Sequence, residues 1–253
     1  MEHILIKLAQ AISSKESAAL ITVVEAKGAS PAKVGAQLVL FQNGTTAGTV
    51  GGGKLESSIL EDARKDLTER MCGLHHYQLA EEGQDAIGTL CGGEVKAFIQ
   101  PYFPPPQLVI VGGGHIGRPL KVMGEAAGFD VNVVDVFPGL ATVPELEQVN
   151  LTSDSYVVLI TTDHISDEAA LRIALKTPVP YIGMIGSLAK CRSILGHLQA
   201  DGICDLERVY APIGLDLGGN SPSEIAVGIL AEVVACRQKK GIPERIVKTR
   251  RLN

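Results

Sequence analysis

The segment Leu108–Gly117 reads LVIVGGGHIG, and it decides the fold of the C-terminal half of the chain. Its apolar residues predict a buried strand, and the spacing Gly112-x-Gly114-x-x-Gly117 is typical of the turn that joins a strand to a helix in dinucleotide-binding folds. The first glycine permits a tight turn, the second lets a phosphate approach the backbone, and the third lets helix and strand pack closely. Asp135 closes the next predicted strand, 21 residues after Gly114, where a carboxylate accepts hydrogen bonds from a ribose diol.

These features predict a nucleotide site at the start of the helix that follows the turn. The free N–H groups and the dipole of a helix N-terminus favour a phosphate. His115 either points at this helix start beside the phosphate or is solvated. Because Asp135 would repel an added 2′-phosphate, the pattern favours NAD over NADP as the ligand. The alternative interpretation is a glycine turn that serves packing alone.

Strands and helices alternate along the rest of this half, which predicts a doubly wound parallel sheet of the Rossmann type. The predicted strands are Gln107–Val111, Asp130–Asp135, Tyr156–Thr161, Pro180–Ile185 and Arg208–Ala211, with a weaker one at Gln148–Leu151. The predicted helices are His115–Gly128, Asp167–Lys176, Leu188–Ala200 and Pro222–Arg237.

Further glycine-rich or polar loops follow the other predicted strands of this half. Because the carboxyl ends of parallel strands meet at one edge, we expect Gly186, Ser187 and Gly214 to contribute to the same site. Two interpretations remain open for Asp163 and His164, which follow another strand. They form an acid/base pair, since histidine titrates near neutrality, or the aspartate caps a turn beside a solvated histidine.

The stretch Pro101–Pro106 (PYFPPP) marks the boundary between two predicted domains, since consecutive prolines favour a stiff extended linker. We predict an α+β domain at 1–103, the Rossmann-like domain at 107–240 and a basic tail at 241–253. In the first domain we predict helices at Glu2–Ile12 and Lys54–Arg70 and strands at Ala18–Glu25, Ala36–Phe41, Leu74–Leu79 and Glu94–Ile99.

Composition excludes several classes of protein. The formal net charge is -5, and the short basic run Lys248–Arg251 stands alone, so a nucleic-acid surface is not expected. The five cysteines form no CxxC pair, which argues against a disulfide scaffold or a structural zinc site. The sequence shows neither a leader nor an apolar run long enough for a membrane span, so we expect a cytoplasmic protein.

An ordered set of motifs resembles the xanthine dehydrogenase accessory family, XdhC/CoxI. In the N-terminal half these motifs are Lys27–Gly35 (KGASPAKVG), Gly48–Glu56 (GTVGGGKLE) and Cys91–Glu94 (CGGE). In the C-terminal half they are Gly112–His115 (GGGH), Thr162–His164 (TDH), Tyr181–Ser187 (YIGMIGS), Ala211–Asp216 (APIGLD) and Ser221–Ala226 (SPSEIA). The resemblance implies an N-terminal XdhC/CoxI-type α+β domain followed by a Rossmann domain.

The resemblance also implies a function. Such proteins hold the molybdenum cofactor (molybdopterin), assist its sulfuration with a cysteine desulfurase, and pass it to the apo-enzyme of a molybdenum hydroxylase such as xanthine dehydrogenase. We expect a cofactor chaperone more than a turnover enzyme, and a homodimer. Two alternatives remain: an NAD-dependent oxidoreductase, in which Asp163 and His164 transfer the proton, and a nucleotide sensor without chemistry.

Two N-terminal motifs then become candidate sites. A thiolate at Cys91, beside two glycines, would bind molybdenum or carry sulfur, although a free cysteine is often only a small buried residue. Gly51, Gly52 and Gly53, with Glu56, open a predicted helix whose N–H groups would cradle an anion such as the pterin phosphate. A tight turn explains the same glycines equally well.

Overall fold

The computed structural model describes residues 2–80, 92–137 and 139–238, and it divides the chain into two compact units, 1–104 and 105–253. We call them unit 1 and unit 2 and describe each by itself. Within the described residues, no helix combines the length and the apolar character needed to cross a bilayer.

Unit 1 is an antiparallel sheet with two helices, which agrees with the predicted α+β class. Its helices are α1 (Glu2–Ser13) and α2 (Gly53–Glu69), and its strands are β1 (Ala18–Lys27), β2 (Gln37–Phe41), β3 (Thr46–Gly48), β4 (Gly73–Gln78) and β5 (Glu94–Tyr102). The strand order is β3-β2-β1-β5-β4, so the two long strands β1 and β5 lie in the middle.

Both faces of this sheet carry apolar residues. On one face, Ile21 of β1 and Ile99 of β5 pack in one cluster with Ile59 of α2, and all three are fully buried. On the other face, Leu8 of α1 packs with Leu20 and shields one end of the sheet. Residues Ala18–Ile21 of β1 are all buried, and because successive side chains point to opposite faces, both faces of the strand are covered.

The linker is shorter than predicted, because β5 continues through Tyr102. Pro101 lies within this strand, opposite Ala19 of β1. On its other side β5 pairs with β4 only as far as Ile99, so Pro101 has a single neighbouring strand. A proline, which has no N–H to donate, is tolerated at such an edge position.

Unit 2 contains the predicted doubly wound α/β fold. Its strands are β6 (Gln107–Val111), β7 (Asp130–Val134), β8 (Ser155–Leu159), β9 (Tyr181–Met184) and β10 (Val209–Tyr210), and its helices are α3 (Gly117–Ala126), α4 (His164–Leu175), α5 (Leu188–Ala200) and α6 (Pro222–Arg237). All pairings are parallel, in the order β10-β9-β8-β6-β7. Every residue of β8 is buried, as expected for a strand covered on both faces.

The chain reverses its winding direction at β6. Strand β6 pairs with β7 on one side and with β8 on the other, so the connections after β6 and after β8 leave in opposite directions. In open α/β sheets this switch point is where ligands bind, beyond the carboxyl ends of the strands.

One predicted strand is absent. The segment Gln148–Leu151 forms no strand, and a short 3-10 turn, Leu146–Gln148, occupies its start. Among residues 139–151, an isolated bridge between Val134 and Val143 extends the nearby edge of the sheet. Leu146 and Val149 are buried in the core without strand pairing. Their apolar pattern predicted a strand because buried residues of a strand show the same pattern.

Candidate functional site

A cavity of about 460 Å³ lies at the switch point of unit 2. Its lining residues come from the turns that follow β6, β7 and β8. Such a volume is in the range of small-molecule sites. We call this cavity the crevice. It contains six of the predicted site residues: Gly112, Gly114, His115, Gly117, Asp135 and Asp163.

The three glycines of the first turn have different surroundings. A Cβ on Gly112 would lie 2.5 Å from the carbonyl oxygen of Ile160, and a Cβ on Gly117 would collide with the carbonyl oxygen of Gly112. Packing therefore explains both of these glycines. Gly114 lines the crevice, and no described atom lies within 4 Å of the position that its Cβ would take. Packing does not explain Gly114, but the approach of a ligand would.

The carboxylate of Asp135 connects the turn after β6 to the turn after β7 by hydrogen bonds. Its Oδ2 accepts a hydrogen bond of 2.7 Å from the N–H of Gly113, and its Oδ1 accepts one of 2.9 Å from the N–H of Phe137. A carboxylate has about four acceptor positions, so each oxygen keeps capacity for a further donor.

Asp163 is the N-cap of α4, one of the two interpretations that the sequence left open. Its carboxylate accepts from the N–H groups of Ile165 at 3.0 Å and Ser166 at 2.8 Å, and from the hydroxyl of Ser166 at 2.8 Å. These bonds, with those from Ser166 the strongest, hold the pKa of Asp163 below its ordinary value. His164 is exposed and is not among the residues that line the crevice, so an acid/base role for the pair stays a prediction.

A buried ion pair that the sequence did not predict stabilises the turn after β8. Asp167 is fully buried, accepts from both the N–H and the hydroxyl of Thr161 at 3.2 and 2.6 Å, and pairs with Lys190 of α5 at 2.6 Å. Thr161 itself lines the crevice. No local pattern distinguishes Asp167 from an ordinary acidic residue in the first turn of a helix.

The other predicted residues of unit 2 lie further along the sheet, after β9 and β10, and do not line the crevice. Ser187 is the N-cap of α5 and accepts from the N–H of Lys190 at 3.2 Å, one residue after Gly186. The N–H of Gly214 donates to the buried Glu232 at 3.0 Å. Both contacts are structural, so a ligand role for Gly186, Ser187 and Gly214 stays a prediction.

Three motif segments of unit 1 meet at one end of its sheet. A Cβ on Gly28 would lie 2.9 Å from the carbonyl oxygen of Gly92, and one on Gly93 would lie 2.8 Å from that of Lys27. A Cβ on Gly51 would lie 3.1 Å from the backbone nitrogen of Ala32. Segments 27–35, 48–56 and 92–93 therefore form one assembly, which we call the loop cluster. Cys91, the predicted sulfur or molybdenum ligand, lies outside the described residues.

Glu56 fills part of the predicted anion cradle with the protein's own carboxylate. Its Oε2 accepts from the hydroxyl of Thr49 at 2.5 Å and from the N–H groups of Val50 at 3.1 Å and Gly52 at 3.2 Å. Partial burial alone would raise the pKa of Glu56, but these hydrogen bonds outweigh it and hold the pKa below its ordinary value. Gly52 and Gly53 have no described atom within 4 Å of an added Cβ and face open space.

The residues that the structure describes contain no group of three or more His, Cys, Asp or Glu side chains that would hold a metal ion. Of the described cysteines, Cys191 is buried in the core of unit 2, and Cys72 and Cys204 are exposed. Any metal role within the predicted set therefore depends on Cys91.

The fold and the glycine-rich turns define a protein with a Rossmann-type domain that follows an α+β domain. The chain belongs to the XdhC and CoxI family: the model of that family matches residues 11–78, and the model of the XdhC Rossmann domain matches residues 108–233. The predicted family is confirmed, and the two matched regions fall one in each unit.

Three curated proteins are similar to the chain. YqeB of Escherichia coli strain K12 is 30% identical over 85% of this chain and 43% of its own length. A protein of Bacillus subtilis strain 168, named as a probable subunit of xanthine dehydrogenase, is 27% identical over 57% of this chain and 47% of its own length. The molybdenum cofactor insertion chaperone PaoD of E. coli strain K12 is 24% identical over 90% of this chain and 86% of its own length.

The chain thus spans less than half the length of the first two of these relatives. Among solved structures, a crystal structure described as a xanthine dehydrogenase from Bacillus halodurans has a TM-score of 0.49 and 20% identity, over 93% of this chain and 96% of that one.

Proposed function

We propose that the protein is a maturation factor that binds the molybdenum cofactor and delivers it to a molybdenum hydroxylase. One relative that covers most of the chain, PaoD, is named a molybdenum cofactor insertion chaperone, and another is named as a probable xanthine dehydrogenase component. The cofactor is cargo in this proposal, and the client is a hydroxylase of the xanthine dehydrogenase type.

The loop cluster carries the proposal. Its segments approach each other at Gly28, Gly51 and Gly93, where an added Cβ would lie about 3 Å from the backbone of a neighbouring segment. Gly52 and Gly53 face open space at the start of α2. Because the N–H of Gly52 already donates to Glu56, an anionic group such as a pterin phosphate would approach the helix start at Gly53. Glu56 stabilises the turn before α2 and would keep these two glycines in place for the cargo.

Cys91 would supply the soft ligand. It directly precedes Gly92, which contacts Gly28 within the loop cluster. A thiolate suits molybdenum and also sulfur transfer. We propose that Cys91 contacts the molybdenum cofactor during its sulfuration, for which a cysteine desulfurase donates the sulfur. The hydroxylase apo-enzyme then receives the sulfurated cofactor.

The geometry gives less support to an NAD-dependent oxidoreductase. A general base works best with a pKa near the operating pH. Hydrogen bonds from the start of α4 instead lower the pKa of Asp163 and keep it an acceptor for the helix. His164, the other member of the pair, is not among the crevice residues.

Cofactor retention tests the proposal. Purified protein is incubated with molybdenum cofactor, passed through a desalting column, and assayed for molybdenum per chain by mass spectrometry. We expect the parent to retain the cofactor and Cys91→Ala to bind it at least about tenfold more weakly, because losing a metal contact has an effect of this size.

Cys72→Ala is the matched control, since Cys72 is an exposed cysteine of the same unit outside the loop cluster. It should retain the cofactor as the parent does. A parent that retains no cofactor contradicts the proposed function, and equal retention by Cys91→Ala and the parent contradicts the role of Cys91 alone.

A further inference from the structure

We propose that two copies of the chain associate face to face through one exposed part of the unit 1 sheet, whose charged residues are complementary to themselves under two-fold rotation. This inference goes beyond the expectation of a homodimer, because it assigns the surface that forms it, and it does not rest on cofactor delivery. Exposed apolar strand partners, a checkerboard of four charges beside them and the size of the surface carry the argument.

The strand register places two exposed apolar side chains next to each other. Leu74 of β4 and Phe98 of β5 are direct partners, and they are 62% and 37% exposed. Phe98 lies between Ala97 and Ile99, which are buried in the cluster that contains residues of α2, so Phe98 points to the opposite face of the sheet. Val24, at the register shift of β1, is also exposed. Exposed apolar side chains that adjoin each other mark a protein interaction surface.

Four charged side chains form a checkerboard beside Phe98. The register pairs Glu25 with Lys96 and Lys27 with Glu94, so each of the two strands and each of the two pairs contains one charge of either sign. Within the chain, the ammonium groups of Lys27 and Lys96 lie 2.6 and 3.3 Å from Oε1 of Glu25, and Lys96 lies 4.0 Å from Glu94. All four side chains are partly exposed, so they are able to meet charges of a second molecule.

Such a checkerboard is complementary to itself. When two copies pack with a two-fold axis in the contact plane through its centre, every glutamate of one copy faces a lysine of the other. An axis along the strands brings Glu25 opposite Lys96 of the second copy, and an axis across the strands brings it opposite Lys27 of the second copy. A two-fold dimer uses the same patch on both subunits. We call the four charges, with Leu74 and Phe98, the open face.

The size of the open face sets the strength of the contact. It spans the three neighbouring strands β1, β5 and β4, about 14 Å, and the segment 94–100 of β5 extends it by about 24 Å. At the other end of the same face, Leu8 of α1 packs on Leu20 and Val39. The open face is therefore smaller than the roughly 800 Å² per partner of a standard interface, and we expect a dimer that dissociates on dilution.

The open face borders the loop cluster. Lys27 belongs to the segment 27–35 of that cluster, and Glu94 directly follows Gly93. In the dimer, the loop cluster of each copy would thus lie at the border of the contact between copies.

Sedimentation velocity of the full chain at loading concentrations from about 1 to about 100 μM tests the association. We expect the average mass to rise from that of a monomer towards that of a dimer as the concentration increases, and to fall again in high salt, which screens the facing charges. A parent protein that stays monomeric over the whole range overturns the proposal.

Charge-reversed variants test the checkerboard. Lys27→Glu with Lys96→Glu makes all four charges negative, and Glu25→Lys with Glu94→Lys makes them positive. Each double variant alone should be monomeric because like charges face each other, whereas an equimolar mixture of the two should dimerise. Exposed ion pairs add little to stability, so circular dichroism should show both variants folded. Dimerisation of either variant alone as tight as that of the parent, or a mixture that stays monomeric, overturns the proposal.

Leu74→Thr tests the apolar part of the open face. Threonine suits a strand, and the lost apolar contact should weaken the dimer about tenfold. Val122→Thr is the matched control, because Val122 is 65% exposed on α3 of unit 2, and it should leave the dimer unchanged. An unchanged dimer in Leu74→Thr, or an equal loss in Val122→Thr, contradicts the assigned surface. These measurements use no molybdenum cofactor, so their failure leaves the proposed delivery function standing.

Discussion

At the scale of single residues, carboxylates organise the turns of both units. Glu56 accepts three hydrogen bonds before α2, Asp163 caps α4, and Asp167 fixes Thr161. Asp163 accepts from N–H groups in the first turn of its own helix, whereas Glu56 and Asp167 accept from N–H groups of the turn that precedes theirs. For the buried Asp167 and the half-buried Glu56, charge-assisted hydrogen bonds offset the cost of burial.

Glu56→Gln should destabilise unit 1 by about 1–2 kcal/mol at pH 7, because an amide oxygen accepts these hydrogen bonds less strongly than a carboxylate. The pKa of Glu56 is lowered from 4.5 in the folded state. Its stabilising effect is therefore present above pH 4.5 and disappears as the pH falls through the lower folded value. Urea unfolding of parent and variant at several pH values between 7 and 3 measures this difference.

The parent–variant difference should shrink as the pH falls below about 4.5. Glu61→Gln is the control, since Glu61 is exposed on the same helix α2, and it should change stability by less than about 0.5 kcal/mol. A Glu56→Gln effect that stays constant down to pH 3 contradicts the assigned role of the carboxylate.

At the scale of elements, the Asp167–Lys190 pair connects the start of α4 to α5. The Asp167 carboxylate is fully buried, and the Lys190 side chain is 25% exposed. Through Thr161 the same carboxylate fixes the turn after β8, which forms one wall of the crevice. The shape of that wall thus depends on a contact between two helices.

Lys190→Met should destabilise the protein by about 3 kcal/mol, because it leaves the buried charge of Asp167 without its partner. Adding Asp167→Asn to that variant removes the charge, so the double variant should be less destabilised than the sum of the two single changes. Urea unfolding of the parent, both single variants and the double variant gives this coupling. Additive effects would show that the pair is not coupled.

The elements of unit 2 were largely predictable, because near-continuous apolar strands and the glycine turn are local signals. The segment Gln148–Leu151 was wrongly predicted as a strand, since buried residues in an irregular segment carry the same apolar pattern. The sequence predicted Pro101 in the linker, whereas the structure places it in β5. A proline fits there because β4 stops pairing with β5 at Ile99, and such pairing cannot be read from the local sequence.

The candidate sites were only partly predictable. The residues of the crevice after β6 and β7 follow from the motif Gly112–Gly117 and from Asp135. The places of Phe137 in the lining of the crevice and of Asp167 beside Thr161 depend on tertiary contacts that no spacing encodes. The meeting of Gly28 with Gly92 likewise joins segments far apart in sequence.

At the scale of the whole molecule, each unit has its own core and its own candidate site. Unit 1 combines an antiparallel sheet with the loop cluster, and unit 2 combines a parallel sheet with the crevice. We infer that the first serves the molybdenum cofactor.

Transfer of the cargo tests the central claim most directly. Protein loaded with molybdenum cofactor is mixed with the apo form of a xanthine dehydrogenase-type hydroxylase, and hydroxylase activity is followed over time. The account predicts that the loaded protein restores activity faster than the same amount of free cofactor, and that Cys91→Ala does not. Equal activation by free cofactor and by loaded protein would contradict it.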